Sequence, residues 1–285
     1  MKKSIFSLIA GALLLGLLFG CSDQSDQASG EIKVGVRLGF TGPIESLTPT
    51  MASSAELAMK EASDSGALLG GATVTSARAD STCVDSAAAT SAAERLITAD
   101  KVAAIMGADC SGVTTAIANN VAVPNGVTMI SPSATSPALT TIEDKGFFFR
   151  TAPSDARQGQ VLAQVVMDRG IDKVAVTYTN NDYGKGLSDS FVGAFKALGG
   201  TVTTEVPHED GKADYSAEVS TLSASGASEV AVLGYLDQGG RGIIQNALDT
   251  GAFSRFILAD GMIGQSLIDN AVSYTHLTLP TIYSV

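Results

Sequence analysis

Lys173-Val-Ala-Val-Thr-Tyr178, then Leu187-Ser-Asp-Ser-Phe-Val-Gly-Ala-Phe-Lys-Ala-Leu198 closed by Gly199-Gly200, then Thr201-Val-Thr-Thr-Glu-Val206: the order of these segments decides the fold. The outer two are short and apolar, as strands are. The middle one is longer and stops at glycine, a helix C-terminal signal. A strand, a helix and a strand in that order read as a right-handed crossover joining parallel strands.

The same rhythm continues in both directions. Towards the C-terminus come a helix over Tyr215–Ser225, a strand over Glu229–Tyr235, a helix over Gly240–Asp249 and a strand over Phe256–Ala259. On the N-terminal side a helix over Ala156–Arg169 carries Val161, Leu162, Val165 and Val166 on one face and stops at Gly170. Further back, strands are expected at Ile32–Phe40, Ala72–Ala79, Val102–Met106, Val127–Ser131 and Phe147–Thr151. Helices are expected between them at Met51–Asp64, Asp85–Thr98 and Ser111–Val121. Val84, Ala88, Ala92 and Leu96 recur every four residues, which predicts the face that packs on the sheet. The expected fold class is α/β: two Rossmann-like lobes with parallel sheets, residues 31–150 and 151–271, and a ligand cleft facing the carboxyl ends of both.

Composition narrows the function. Formal net charge is −11, and no Lys/Arg cluster follows Lys3, which argues against nucleic acid and against an anionic lipid surface as partners. Neither a Gly-x-Ser-x-Gly elbow, a Gly-x-x-x-x-Gly-Lys loop nor a His-Glu-x-x-His pair occurs, so the chain does not read as an enzyme. His208 and His276 are the two histidines, so the cysteines have no zinc partners in sequence reach, and neither metal nor cofactor is called for.

The ends carry their own signals. Lys2, Lys3 and the uncharged run Ile5–Phe19 predict a signal peptide over residues 1–20. Leu18-Phe19-Gly20-Cys21 resembles a lipobox, which makes Cys21 the expected lipidated residue and 21–30 a polar tether. Of the three cysteines this leaves Cys83 and Cys110, either as a pair in an oxidising compartment or as two buried thiols. At the other end, Val272-Ser-Tyr-Thr-His-Leu-Thr-Leu-Pro-Thr281 resembles a translated sequencing-library adapter, so residues 272–285 are expected to be foreign.

Taken together, several motifs carry a resemblance from about Ile32 to Gly264. They are Thr41-Gly42-Pro43, Val102-Ala-Ala-Ile-Met-Gly107 with Cys110-Ser111-Gly112, Ile130-Ser-Pro-Ser-Ala-Thr-Ser-Pro137, Phe149-Arg150-Thr151, Asp182-Tyr183-Gly184 and Asp214-Tyr215-Ser216. In this order the chain resembles the type I periplasmic solute-binding proteins of branched-chain amino acid (Leu/Ile/Val) ABC transporters. The resemblance implies a bilobal fold whose first crossing lies near Phe149–Pro153 and whose chain later returns to the first lobe. About a quarter to a third of such a chain is expected beyond residue 271. It further implies an amino acid ligand, an ABC permease as partner, membrane attachment only through lipid at Cys21, a periplasmic or surface location and a monomer. The alternative it leaves is a receptor reporting amino acids or urea-like amides to a signalling partner.

The implied site follows residue by residue. Ser111 opens a helix whose free N–H groups suit an α-carboxylate, although a serine there also reads as an N-cap. Ser133 supplies a carbonyl and Thr135 a hydroxyl to the ligand ammonium; the plain alternative is a Pro-Ser turn. Tyr183 covers the ligand, and Tyr235 matches a contact tyrosine out of register. Asp260 pairs with the ammonium, against the alternative of a surface turn acid before Gly261. The resemblance also implies a Cys83–Cys110 disulfide. Side-chain selectivity falls to the loop Ile44–Leu47.

Overall fold

The computed structural model describes residues 30–265 and 267–268. The expected signal peptide, Cys21 and the tail from residue 272 lie outside the described residues. The first half runs β1 Glu31–Leu38, α1 Thr48–Asp64, β2 Thr73–Asp80, α2 Ser86–Thr98, β3 Ala104–Gly107, α3 Ser111–Ile117, β4 Thr128–Ser131 and β5 Phe148–Arg150. Residues 151–154 then lead into α4 Asp155–Asp168, β6 Lys173–Thr179, α5 Asp182–Ala197, β7 Thr201–His208, α6 Ser216–Ala224, β8 Glu229–Leu233, α7 Arg241–Asp249 and β9 Arg255–Leu258.

All pairings are parallel, in two sheets ordered β2-β1-β3-β4-β5 and β7-β6-β8-β9. The strand order reverses between β1 and β3 and again between β6 and β8, and a crevice opens at the carboxyl ends of such a pair. In the second sheet every residue of β8 is buried, as expected of a strand covered on both faces. In the first, α2 and α3 cover Ile105 and Met129, and α1 packs over Val36 and Leu38. Ile130 of β4 pairs in register with Phe149 of β5, and both side chains stand exposed on one face of that sheet edge.

Four expectations need correction. The buried face of α2 is Ala89, Ala93 and Leu96, while Val84 is exposed and outside the helix, because Asp85 caps it by accepting from Ala87 N and Ala88 N. In α4 the buried residues include Leu162, Ala163 and Val166, whereas Val161 is exposed. Helix α5 starts at Asp182, five residues before the expected Leu187, because the Asn181 carboxamide caps it through Tyr183 N and Gly184 N. His208, just beyond the expected strand Thr201–Val206, ends β7 fully buried with Nδ1 sharing a hydrogen bond with Thr177 Oγ1 at 2.8 Å. Burial lowers its pKa to about 4, so the ring is neutral.

Two helical glycines test this packing with opposite signs. An added Cβ at Gly159 of α4 would lie 2.6 Å from Phe191 N and Ser190 Cβ of α5, whereas one at Gly193 meets nothing within 4 Å. Alanine gains about 1 kcal/mol of helix propensity at either place. At Gly159 overpacking against backbone costs about 1–3 kcal/mol and wins. Urea unfolding is therefore expected to show Gly159→Ala destabilised and Gly193→Ala stabilised by about 0.5–1 kcal/mol. Equal shifts for the two would contradict the close α4–α5 approach.

Candidate ligand-binding cleft

The loops that follow the strands of the first sheet are tied to one residue. Asp109, buried between β3 and α3, accepts from Gly39 N after β1 (2.8 Å), Ser81 Oγ after β2 (3.0 Å) and Cys110 N (3.0 Å). Its own carbonyl accepts from Ser133 Oγ after β4 at 3.1 Å. Burial raises its pKa, and the Gly39 and Cys110 N–H groups oppose the shift. A disulfide between Cys83 and Cys110, with Cα atoms 5.2 Å apart, joins the β2 loop to the head of α3. Beneath this rim the buried Arg37 guanidinium donates to Asp80 O (2.7 Å) and Ala89 O (2.5 Å). Desolvation lowers its pKa to about 10 while Asp80 holds it up.

Cys110, not Ser111, occupies the N-cap of α3. Ser111 is the first helical residue, and its buried hydroxyl accepts from Thr135 N (3.2 Å) and Ser136 N (3.1 Å). The head of α3 is thereby joined to the loop after β4, and Ser111, Ser133 and Thr135 come together on one rim. The N–H groups of the first helical turn have no partner within the helix.

Where the chain leaves the first sheet it brings a further group. Arg150 Nη1 donates to Ser136 O (2.8 Å) and Ala134 O (3.3 Å), and Asp155 N donates to Thr135 O (2.9 Å). The Asp155 side chain is fully buried, and neither of its oxygens has a hydrogen-bond partner. Desolvation, then the nearby Asp260 charge, pushes its pKa up to about 7 against the pull of the neighbouring Thr135 hydroxyl and of Arg150.

The second sheet supplies the facing wall. Tyr183, expected in a loop, lies in the first turn of α5, and its buried ring stacks on Tyr235 with centroids 4.8 Å apart and planes 16° apart. Its hydroxyl donates to Asp260 Oδ1 (2.8 Å) and accepts from Gly261 N (3.2 Å). Gln158 Nε2 donates to the same carboxylate oxygen at 3.0 Å. Asp260 itself remains exposed and open to contact. Burial raises the pKa of both tyrosines, with Asp260 adding to it at Tyr183 and Asp210 at Tyr235, so both hydroxyls stay protonated.

Tyr183, Tyr235 and Asp260 thus form a second cluster, and Asp155 belongs with it through Asp260. Asp109 and Asp155 were absent from the sequence reading. For Asp155 a signal existed: Asp155, Gly159, Leu162, Ala163 and Val166 repeat at helical spacing, and all five are buried. Nothing comparable marks Asp109, which reads as a loop acid.

Comparison with known proteins bears on this geometry. Residues 31–267 match the family model described as periplasmic binding protein. The Leu/Ile/Val-binding protein homolog 1 of Brucella melitensis is 32% identical over 284 residues, covering 99% of this chain and 72% of that protein. The leucine binding protein LivK of Thermotoga maritima superposes with a TM-score of 0.75 at 28% identity, over 84% of this chain and 66% of that one. The branched-chain amino acid transporter substrate binding protein LivJ of Streptococcus pneumoniae, in complex with isoleucine, gives a TM-score of 0.72 at 27% identity, over 85% of this chain and 68% of that one.

The unpartnered Asp155 carboxyl sets a pH signature. Its folded pKa of about 7 lies above the carboxylate reference of about 3.9, so the folded state resists ionisation and loses stability as pH rises from about 4 to about 7. Asp155→Asn removes that penalty. The variant is expected to unfold at a higher temperature than the wild type at pH 8 and at the same temperature near pH 3. A constant difference across that range would mean that Asp155 is ionised and paired.

Proposed function

This chain belongs to the periplasmic binding protein family, and from that premise we propose that it captures an amino acid between its two lobes. Its relatives are binding proteins, not enzymes. The observation that carries the reading is Asp155: a buried carboxyl without a partner, beside Asp260, is a place for a cation. A ligand α-ammonium group fits between these acids, with Thr135 and the Ser133 carbonyl as its neutral contacts. The α-carboxylate goes to the first turn of α3 and Ser111, where N–H groups and the helix dipole favour an anion. The stacked Tyr183 and Tyr235 rings close over the ligand and keep water out.

A branched-chain side chain is the assigned specificity, on the names of the relatives and on the apolar Ile44 and Leu47 in the loop after β1. The delivery route is the permease of an ABC importer. The chain acts as a monomer held in the periplasm or at the cell surface by lipid on Cys21. A lobe boundary near residue 150 is part of this proposal, supported by the passage of the chain through 151–154 between the two sheets.

Isothermal calorimetry with L-leucine and L-isoleucine tests the reading, with 4-methylpentanoate, which is leucine without its amino group, as the counter-probe. Both amino acids are expected to bind with micromolar or tighter Kd, and 4-methylpentanoate is expected to give no heat. A charge-assisted contact is worth about 1.5–3 kcal/mol, so Asp260→Ala and Asp155→Asn should each weaken binding by about ten- to a hundredfold. Equal binding of leucine and its deaminated analogue would overturn the role of the acids.

A further inference from the structure

Outside the two clusters the facing walls meet where Gly186 of α5 approaches Pro137 and, separately, through a set of hydrogen bonds between the loop after β1 and the turn after Tyr235. The loop after β1 is an arm with a fixed root. Gly39 N is held by Asp109, Thr48 Oγ1 donates to Gly39 O at 3.0 Å, and Pro43 and Ile44 are buried. Its tip, Glu45 and Ser46, stands in solvent. Opposite, the second lobe presents the tight turn Leu236–Gly240, which follows Tyr235 directly. This turn is also held: Gly239 N donates to Asp210 Oδ1 at 3.1 Å, and Arg241 Nη2 to Asp237 O at 3.1 Å.

Tip and turn meet reciprocally. Asp237 N donates to Pro43 O at 3.0 Å, while Ser46 N (3.1 Å) and Ser46 Oγ (2.6 Å) both donate to Asp237 Oδ2. Each side therefore gives backbone and takes backbone, with a carboxylate as the acceptor of two bonds. Separating the lobes breaks all three together, because neither the arm nor the turn is free to follow the other.

We propose that Ser46 and Asp237 are positioning residues that latch the lobes closed and thereby set how long a ligand is retained. The inference rests on the reading of the cleft as a binding site, but the latch has a readout of its own. The proposed ligand contacts are the inner clusters and, on the arm, Ile44 and Leu47, whereas Ser46 N and Oγ are turned to Asp237, so the latch acts on release and not on recognition. Loss of a hydrogen-bonded carboxylate contact should speed dissociation about tenfold and leave association within about threefold.

The experiment uses Ser46→Ala, Asp237→Ala, the double variant and Asp237→Asn in the whole chain. Small-angle X-ray scattering reads the radius of gyration without ligand, and stopped-flow tyrosine fluorescence reads L-isoleucine dissociation. The alanine variants should be more expanded than the wild type and release isoleucine faster, about tenfold for Asp237→Ala, with the double variant no worse than Asp237→Ala because Ser46→Ala alone keeps the Ser46 N bond. Asp237→Asn keeps an acceptor oxygen and should return both readouts to near wild-type values, which separates a latch from a folding defect. An unchanged radius in the alanine variants overturns the latch whatever isoleucine does. An expanded radius with an unaltered release rate overturns it as well. If the wild type fails to bind isoleucine while the alanine variants expand, the latch stands and the amino acid reading falls.

Discussion

In both sheets every strand runs parallel to its neighbours, and a parallel pair can be joined only by a crossover over one face. All carboxyl ends therefore fall on one edge of each sheet, and the loops that follow them form a rim. Cys83, Cys110, Ser111 and Ser133 come after β2, β3 and β4; Tyr183, Tyr235 and Asp260 come after β6, β8 and β9. Turning the two rims towards each other brings side chains far apart in sequence to one cleft. The chemistry of the site follows from that constraint before any single side chain is considered.

The two rims are built differently. In the first lobe the Cys83–Cys110 bridge closes a loop of 27 residues, a constraint worth about 3–4 kcal/mol, and Asp109 adds hydrogen bonds to the same loops. A buried carboxylate is costly unless its lone pairs are used, and here three N–H or O–H donors reach it. The second rim has no covalent tie among the described residues, and its wall is a pair of stacked rings with one shared carboxylate. One side is a stiff base, and the other is a face held by side-chain contacts.

Much of this was legible. The strand–helix alternation placed both sheets, and glycines at 170 and 199, both with positive φ, marked helix ends correctly. Where the reading slipped, the chemistry of the residues explains it. In α2, alanines at 87, 88, 89, 92 and 93 have one small side chain, so several stripes fit the same letters and only the Asp85 cap chooses among them. The early start of α5 was hidden by Gly184 and Gly186, poor helix formers; the latter is required because an added Cβ would lie 2.8 Å from Pro137 Cδ. Six site residues were named through resemblance, and the structure brings them into two clusters. Asp109 and Asp155 were missed for a different reason: their roles depend on burial, of which a loop acid such as Asp109 carries no sign, while for Asp155 the only sign is its place on the buried stripe of α4.

Asp155 and the Ser46–Asp237 contact are best understood together. Closing an empty cleft brings the exposed Asp260 carboxyl near the buried Asp155 carboxyl, and like charges resist that. The reciprocal bonds between Ser46, Pro43 and Asp237 act the other way and favour closure. A cation between the two acids removes the repulsion and adds two attractions, so it shifts the balance towards the closed form without needing to deform either lobe. A ligand lacking that charge binds the open and closed forms nearly alike and moves nothing. In the proposed binding mode, selectivity for the ammonium group and retention by closure are two consequences of one electrostatic arrangement.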